Sequence, residues 1–490
     1  MAILYRDYVL RMTARNPTLN ALSTFLEHPH PYNSITSCLE INSEGQARCL
    51  EQVTATDIVI QVNSGLSKGT IAIIENVHSN DIEVLGSGLD IDPFFFSGHI
   101  ASSYEGVENS PPQPHLVLPP SRIISRNFFN LYYHEVLDLG PESRGTRLPY
   151  ILAPAANIFR PVRRLPALSG RSIGLMRGCI SVLKKNLPNG RWICIILVDP
   201  SECDLVTHLK DCKLKTPQVL KRIKTEDFRE TPLFSTFCAS GMEEGAISQN
   251  LRGYLLGLFQ LSPLGCDADS PNILSMLYYP LQIVISEWML YVLLMSRYVK
   301  YYEYSFQTVR SRIEFFEKPD ILELHRWRRR SQQSLHKLRV TRGFIEHWRN
   351  KKEPPYGSSS EARAALNPEI AKQWDPLLMD IQHIEWQIIR NANSLEALSP
   401  MITAMVQLIA SHESIHQAED VRRLTYIAVA FIPLSFLASL FSMSDPFGPA
   451  GEFFWVYWAA AIPIATVTVA FSVVAGRITT LLNTIGGWRG

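Results

Sequence analysis

Apolar positions along this 490-residue chain change their period once, and near the end they stop having one. Up to about residue 270 they come in short β-branched and aromatic runs separated by turn residues. Asp57 to Val62, Thr70 to Ile74, His115 to Leu118 and Phe129 to Val136 read as strands. Cys179 to Leu183, then Asn189-Gly190, then Trp192 to Val198 read as a hairpin. Helical pieces such as Asp81 to Gly86 fall between the strands, and Ser110 to Pro120 is a Pro-rich loop, so the expected fold of this part is an α/β layer arrangement.

From Pro280 the period is helical. Ile283, Leu290, Leu293 and Leu294 recur three and four apart, as do Leu324, Trp327, Leu335, Leu338, Ile345 and Trp348. The run KKEPPYGSSS at 351–360 predicts a linker. Beyond it Leu377, Ile381, Ile384, Ile388, Ala392, Leu395, Leu398, Ile402, Met405 and Ile409 form a seam close to a coiled coil, with Pro400 as a bend or junction. The seam runs into Leu424 to Phe441, so a long stalk helix continuous with a membrane helix is expected.

Leu424 to Phe441 and Phe453 to Ala475 hold no Asp, Glu, Lys or Arg, and each approaches the roughly 18 to 20 residues a helix needs to cross a bilayer. The connection between them carries only acidic charge, while Arg422, Arg423, Arg477 and Arg489 lie outside the pair. The positive-inside rule then places both termini in the cytoplasm. Trp455, Tyr457 and Trp458 suit a headgroup belt or packing on the first span. A third apolar stretch, Ile273 to Met295, contains Pro280, Gln282 and Glu287. A carboxylate at mid-membrane costs about 3 kcal/mol, which favours a buried cytoplasmic helix.

Removing the last 70 or so residues leaves enough chain for a sizeable cytoplasmic body. A formal charge of +1 gives no global electrostatic reason to expect a nucleic-acid partner. Eight cysteines without zinc-ligand spacing fit a reduced compartment, and Arg6, Asp7 and Arg11 break the first apolar run, so no secretory leader is expected. No phosphate loop, nucleophile elbow or HExxH is present, and nothing in the sequence points to an enzyme or a cofactor.

One face of the first span is small or polar: Leu424, Ala428, Ile432, Ser435, Ser439 and Ser442 follow at three or four residues. The spacing admits helix packing against the second span, and it admits a water-filled path, which two spans can enclose only in an oligomer. His412, His416 and Asp420 share a stalk face that either is solvated or holds a metal. Arg326-Trp327-Arg328-Arg329-Arg330 reads as a solvated helix face paired with acidic neighbours, or as a contact for anionic lipid or nucleic acid.

The run Leu424-Thr425-Tyr426 through Phe431-Ile432-Pro433-Leu434-Ser435 to Phe441-Ser442-Met443, followed by a short acidic loop and one more span, resembles the pore helix of CorA-type magnesium transporters, in particular their divergent fungal relatives. Glu75-Asn76-Val77 and Leu85 to Pro93, with Phe96 and His99, are similar to the N-terminal domain of that branch. The resemblance implies a homopentamer embedded in a lipid bilayer, an α/β cytoplasmic domain, long stalk helices and a pore for divalent cations, Mg²⁺ first among them. It implies Leu424, Ala428, Ile432, Ser435 and Ser439 as pore-lining residues and Ser442, Met443, Ser444 and Asp445 as the selectivity mouth. The family's Gly-Met-Asn is here Ser442-Met443-Ser444, which removes the amide at the mouth and leaves a non-conducting scaffold or sensor as the competing reading. The expected organisation is an α/β domain over 1–270, helices over 271–350, a linker over 351–360, a stalk helix over 361–423, spans over 424–441 and 453–475 around an outer loop over 442–452, and a cytoplasmic tail over 476–490.

Overall fold

The computed structural model describes residues 3–42, 47–65, 67–101, 118–141, 151–201, 203–207, 218–219, 222–223, 233–235, 238, 250–261, 271–307, 318–350, 368–442, 455–468 and 470. It divides into two units, Met1–Glu396 and Ala397–Gly490. The 351–360 linker and residues 476–490 lie outside the described residues.

The first unit is built on a ten-stranded sheet of β1 (Ile35–Ile41), β2 (Ala47–Glu51), β3 (Gly69–Glu75), β4 (Phe128–Pro141), β5 (Ile151–Pro154), β6 (Val162–Arg164), β7 (Arg171–Asn186), β8 (Trp192–Val198), β9 (Asp204–Thr207) and β10 (Gln218–Val219), in the order β10-β9-β5-β6-β7-β8-β3-β1-β2, with β4 paired to β7 off that path. Its centre is β3 (Gly69–Glu75), β7 (Arg171–Asn186) and β8 (Trp192–Val198); β3 and β8 are buried at every position. They run parallel to each other, whereas the other pairings are antiparallel. A strand covered on both faces needs a continuous apolar run, and Ile193-Cys194-Ile195-Ile196-Leu197 supplies one. The hairpin expected from Asn189-Gly190 is present as β7 and β8 around a 3₁₀ turn at Pro188–Gly190, with Gly190 at φ +73°. Thr70 to Ile74 and Phe129 to Val136 are strands as expected, the latter inside β4 (Phe128–Pro141).

One sequence expectation is corrected. Asp57 to Val62, read as a strand, lies in a helix, Ala55–Ser64. Thr54 Oγ1 accepts from Asp57 N, Asp57 accepts from Thr54 N in return, and Gly65 ends the helix at φ +78°. These end signals outweigh the strand preference of an isoleucine- and valine-rich segment. The Asp81 to Gly86 helix is present as Ser79–Gly88. Of His115 to Leu118, only Leu118 is described, and it is not in a strand.

A core helix, Ile273–Gln307, packs along the sheet: the Trp288 and Tyr291 rings meet His134 of β4 at 5.5 and 4.7 Å. More than half of its apolar stretch is buried by protein, the environment of a core helix rather than of lipid. A second helix, Lys318–Arg349, lays Trp327 against Tyr291 and Tyr298. Its arginines pair with acids, Arg326 and Arg330 with Glu323, and Arg328 with Glu396.

The longest helix is Pro368–Phe441, which passes Pro400 without ending. Its seam residues Leu377, Ile381, Ile384, Ile388 and Leu395 are at most 5 % exposed within this one chain. Trp374 meets Tyr278 edge-on at 5.6 Å, and Arg342–Glu385 and Arg349–Asp375 pairs, both 2.7 Å, clamp the same stretch to Lys318–Arg349. This part of the seam is satisfied inside the subunit and does not call for a second copy. The side chains of Ile402, Met405 and Ile409 lie outside the described residues.

The second unit contains the remainder of that helix and a shorter apolar helix, Trp455–Thr468.

Candidate ion pathway

Ser414–Leu440 is long and apolar enough to cross a membrane, and only 7 % of its most apolar window is buried by protein. Leu424, Ile427, Phe431, Ile432, Phe436 and Leu440 are all more than half exposed. A helix that shows this much apolar surface is made for a lipid or protein environment rather than water.

Exposure around the helix is not uniform. Val429, Pro433 and Leu434 are half-buried and Leu437 is buried; at about 100° per residue, these four gather on one side. The stripe read from sequence, Leu424, Ala428, Ile432, Ser435, Ser439 and Ser442, lies on the other side, and every one of its members is exposed. Among the described residues of the second helix, Ala461 is buried. Among the described residues, the stripe is thus left uncovered.

Its chemistry follows from local hydrogen bonds. Ser435 Oγ donates to Ile432 O at 2.9 Å, so its proton is spent on the backbone while its oxygen lone pairs remain to accept from water. Ser442 N donates to Ala438 O at 3.0 Å and closes the helix, which sets its exposed hydroxyl at the helix end. Met443, Ser444 and Asp445 lie outside the described residues, as does the His412 side chain. His416 and Asp420 are exposed on the same helix, and among the described residues no group of three His, Cys, Asp or Glu stands close enough to hold a metal.

The first unit holds buried charges that sequence reading did not find. Arg160, 1 % exposed, grips both oxygens of Asp199 at 3.0 Å and donates to His99 O; Asp199 also accepts from Cys179 N. His99 is fully buried and bonded to Ser181 Oγ at 2.9 Å, and burial, against the pull of Asp199, lowers its imidazole to about 3. Nearby Glu135 meets Arg222 at 3.0 Å and accepts from Tyr133. Burial, then the Glu135 charge, pushes Glu287 up to about 8. Residues so far apart in the chain leave no linear motif. The segments resembling the cytoplasmic domain have structural tasks here: Glu75 accepts from Ser201 N and Asn250 Nδ2, and Asn76, at φ +57°, accepts from Asn157 N.

An α/β body and an exposed apolar C-terminal helix define a membrane protein. Residues 361–477 match a family model described as CorA-like Mg2+ transporter protein, so similarity to the CorA-type transporters holds over those residues. No curated protein matches the chain in sequence. Among solved structures, the chain is similar to the complete structure of the CorA magnesium transporter from Methanocaldococcus jannaschii, at 9 % identity and TM-score 0.34, over 90 % of this chain and 98 % of that one. It is similar also to the full-length CmaX protein at 12 % identity and TM-score 0.32, over 89 % and 95 % of the two chains. At those scores both likenesses are weak.

Proposed function

We propose that this protein is a divalent cation channel of the CorA type, that Mg²⁺ is its main cargo, and that several first spans, five by family analogy, surround one path with both termini cytoplasmic. The observation that carries this reading is the exposed stripe. A face of small residues and hydroxyls, turned away from the helix's own buried side within a segment that matches the CorA-like model, has the chemistry of a hydrated path. Ser435 and Ser439 accept from the water shell that Mg²⁺ sheds reluctantly, and Leu424 and Ile432 are apolar rings that close the path by dewetting. The mouth, Ser442 to Asp445, offers hydroxyls, carbonyls and one carboxylate in place of an amide, a set that discriminates poorly among divalent ions.

The replaced tripeptide is the specific observation favouring the second reading, a scaffold that has given up conduction. Growth of a cell lacking Mg²⁺ uptake separates the two. Rescue by the parent supports the channel; rescue only after Ser442→Gly with Ser444→Asn supports the scaffold.

A further inference from the structure

A shallow cleft on the first unit opens between β4, the short helix Pro120–Ile124 and the helix Lys318–Arg349. Its walls are apolar: Phe94, Ile123, Phe128, Phe129 and Val340. Four of its polar members are already engaged. The Asn130 amide donates to Phe95 O and Ser181 Oγ, Tyr132 donates to Gly98 O, and Thr341 donates to Lys337 O. Arg126 lies over the Phe94 and Phe128 rings, 3.9 Å from Asp92.

Lys337 is different. It lines the cleft at 8 % exposure; among the described residues no carboxylate meets it, and its ammonium lies over the Tyr132 ring, 5.6 Å from Nζ to the centroid. The charged groups around it add to the excess of positive charge: Arg177 on β7 and Arg160, with Asp199 already bound to Arg160. Cys179 and His134 face the same region and are both neutral, since burial raises the thiol to about 12 and holds the imidazole well below its ordinary range.

We infer that this cleft binds a small apolar monocarboxylate, its hydrocarbon part between Phe129 and Val340 and its carboxylate on Lys337. Among the described lining residues Arg126 faces the Asp92 carboxylate and Lys337 faces none, so one negative charge matches the cleft; a dianion would leave a charge uncompensated in a poorly solvated site. Burial first, then Arg177, lowers Lys337 to about 7, so the unliganded amine is partly neutral at physiological pH and a bound carboxylate restores its proton. Binding therefore takes up protons, and affinity falls as pH rises from 7 to 9.

The test is calorimetric titration of the full-length protein in lipid nanodiscs with hexanoate, hexanol and hexyl phosphate, subtracting empty nanodiscs. Hexanoate should bind saturably, at least tenfold tighter than either analogue, with proton uptake at pH 7.5 seen by comparing two buffers. Lys337→Met should weaken it at least tenfold, and Thr341→Trp, which fills the cleft and keeps the lysine, should do the same; both must keep the parent's circular dichroism. No hexanoate binding, equal binding of hexanol or hexyl phosphate, or unchanged affinity in a folded Lys337→Met protein overturns the assignment.

Discussion

Ser435 and Leu437 stand on opposite sides of the same helix: Ser435 is exposed and Leu437 is 9 % exposed, two residues and about 200° apart. The first expected outcome follows from that pair. In oriented vesicles, Ser435→Cys and Ser439→Cys should react with a small, water-soluble thiol reagent about tenfold faster than Leu437→Cys, with modified sites located by mass spectrometry. Dissolved Mg²⁺ should slow the first two. Equal rates at all three positions would mean that the stripe faces lipid or protein rather than water.

Charge placed in the stalk seam tests a different link. Ile384 is fully buried within one chain, beside the Arg342–Glu385 pair, so Ile384→Asp puts an unpaired carboxylate into the subunit's own core at a cost on the order of 3 kcal/mol or more. The melting temperature of the first unit should drop by several degrees at every protein concentration. A melting temperature that is unchanged, together with a lower oligomer mass by light scattering, would show instead that the seam packs between subunits.

Asp199 and Arg160 form the most buried ion pair among the described residues, at 2 % and 1 % exposure. Asp199→Asn leaves the guanidinium buried with its partner charge gone, and breaking such a pair costs about 3–5 kcal/mol. Urea unfolding followed by tryptophan fluorescence should show that loss, with the slope unchanged. A loss below about 1 kcal/mol would mean that water reaches the pair.

Glu287 gives a pH dependence with a definite sign. Its folded pKa is about 8, raised above the ordinary glutamate value by burial first and by Glu135 second. The folded state therefore holds a proton that the unfolded chain releases, and stability falls as pH rises from about 4.5 through 8. Glu287→Gln should flatten that decline, read as melting temperature against pH. A decline that is as steep in Glu287→Gln would place its origin in another group.

How much of this was legible in the sequence varies with the range of the interactions. The β7–β8 hairpin, the helix near Asp81 and the apolar helix before Ser442 are written in local signals, a turn dipeptide, an acidic first turn and a lack of charge. Ile273 to Met295 was recognisable as a core helix because Glu287 cannot lie in lipid cheaply, though nothing near it announced Arg222 and Glu135 as its neighbours. The segment at Asp57 misled because its isoleucine and valine content suggests a strand, while two end signals, the Thr54–Asp57 box and Gly65, decide for a helix. The stripe on the first span could be placed on one face by counting. That this face is left uncovered is a tertiary fact, visible only once Leu437 is seen buried on the other.

Conduction is the claim on which the rest depends, and Mg²⁺ uptake into proteoliposomes of purified protein, followed with an internal indicator, tests it most directly. The parent should carry Mg²⁺ down its gradient, Ser439→Trp should cut the rate at least tenfold by filling the path, and Ser442→Gly with Ser444→Asn should sharpen the preference for Mg²⁺ over other divalent ions. No uptake by the parent, with uptake restored in that double mutant, would contradict the channel and leave a protein that kept the CorA-like segment without its conduction.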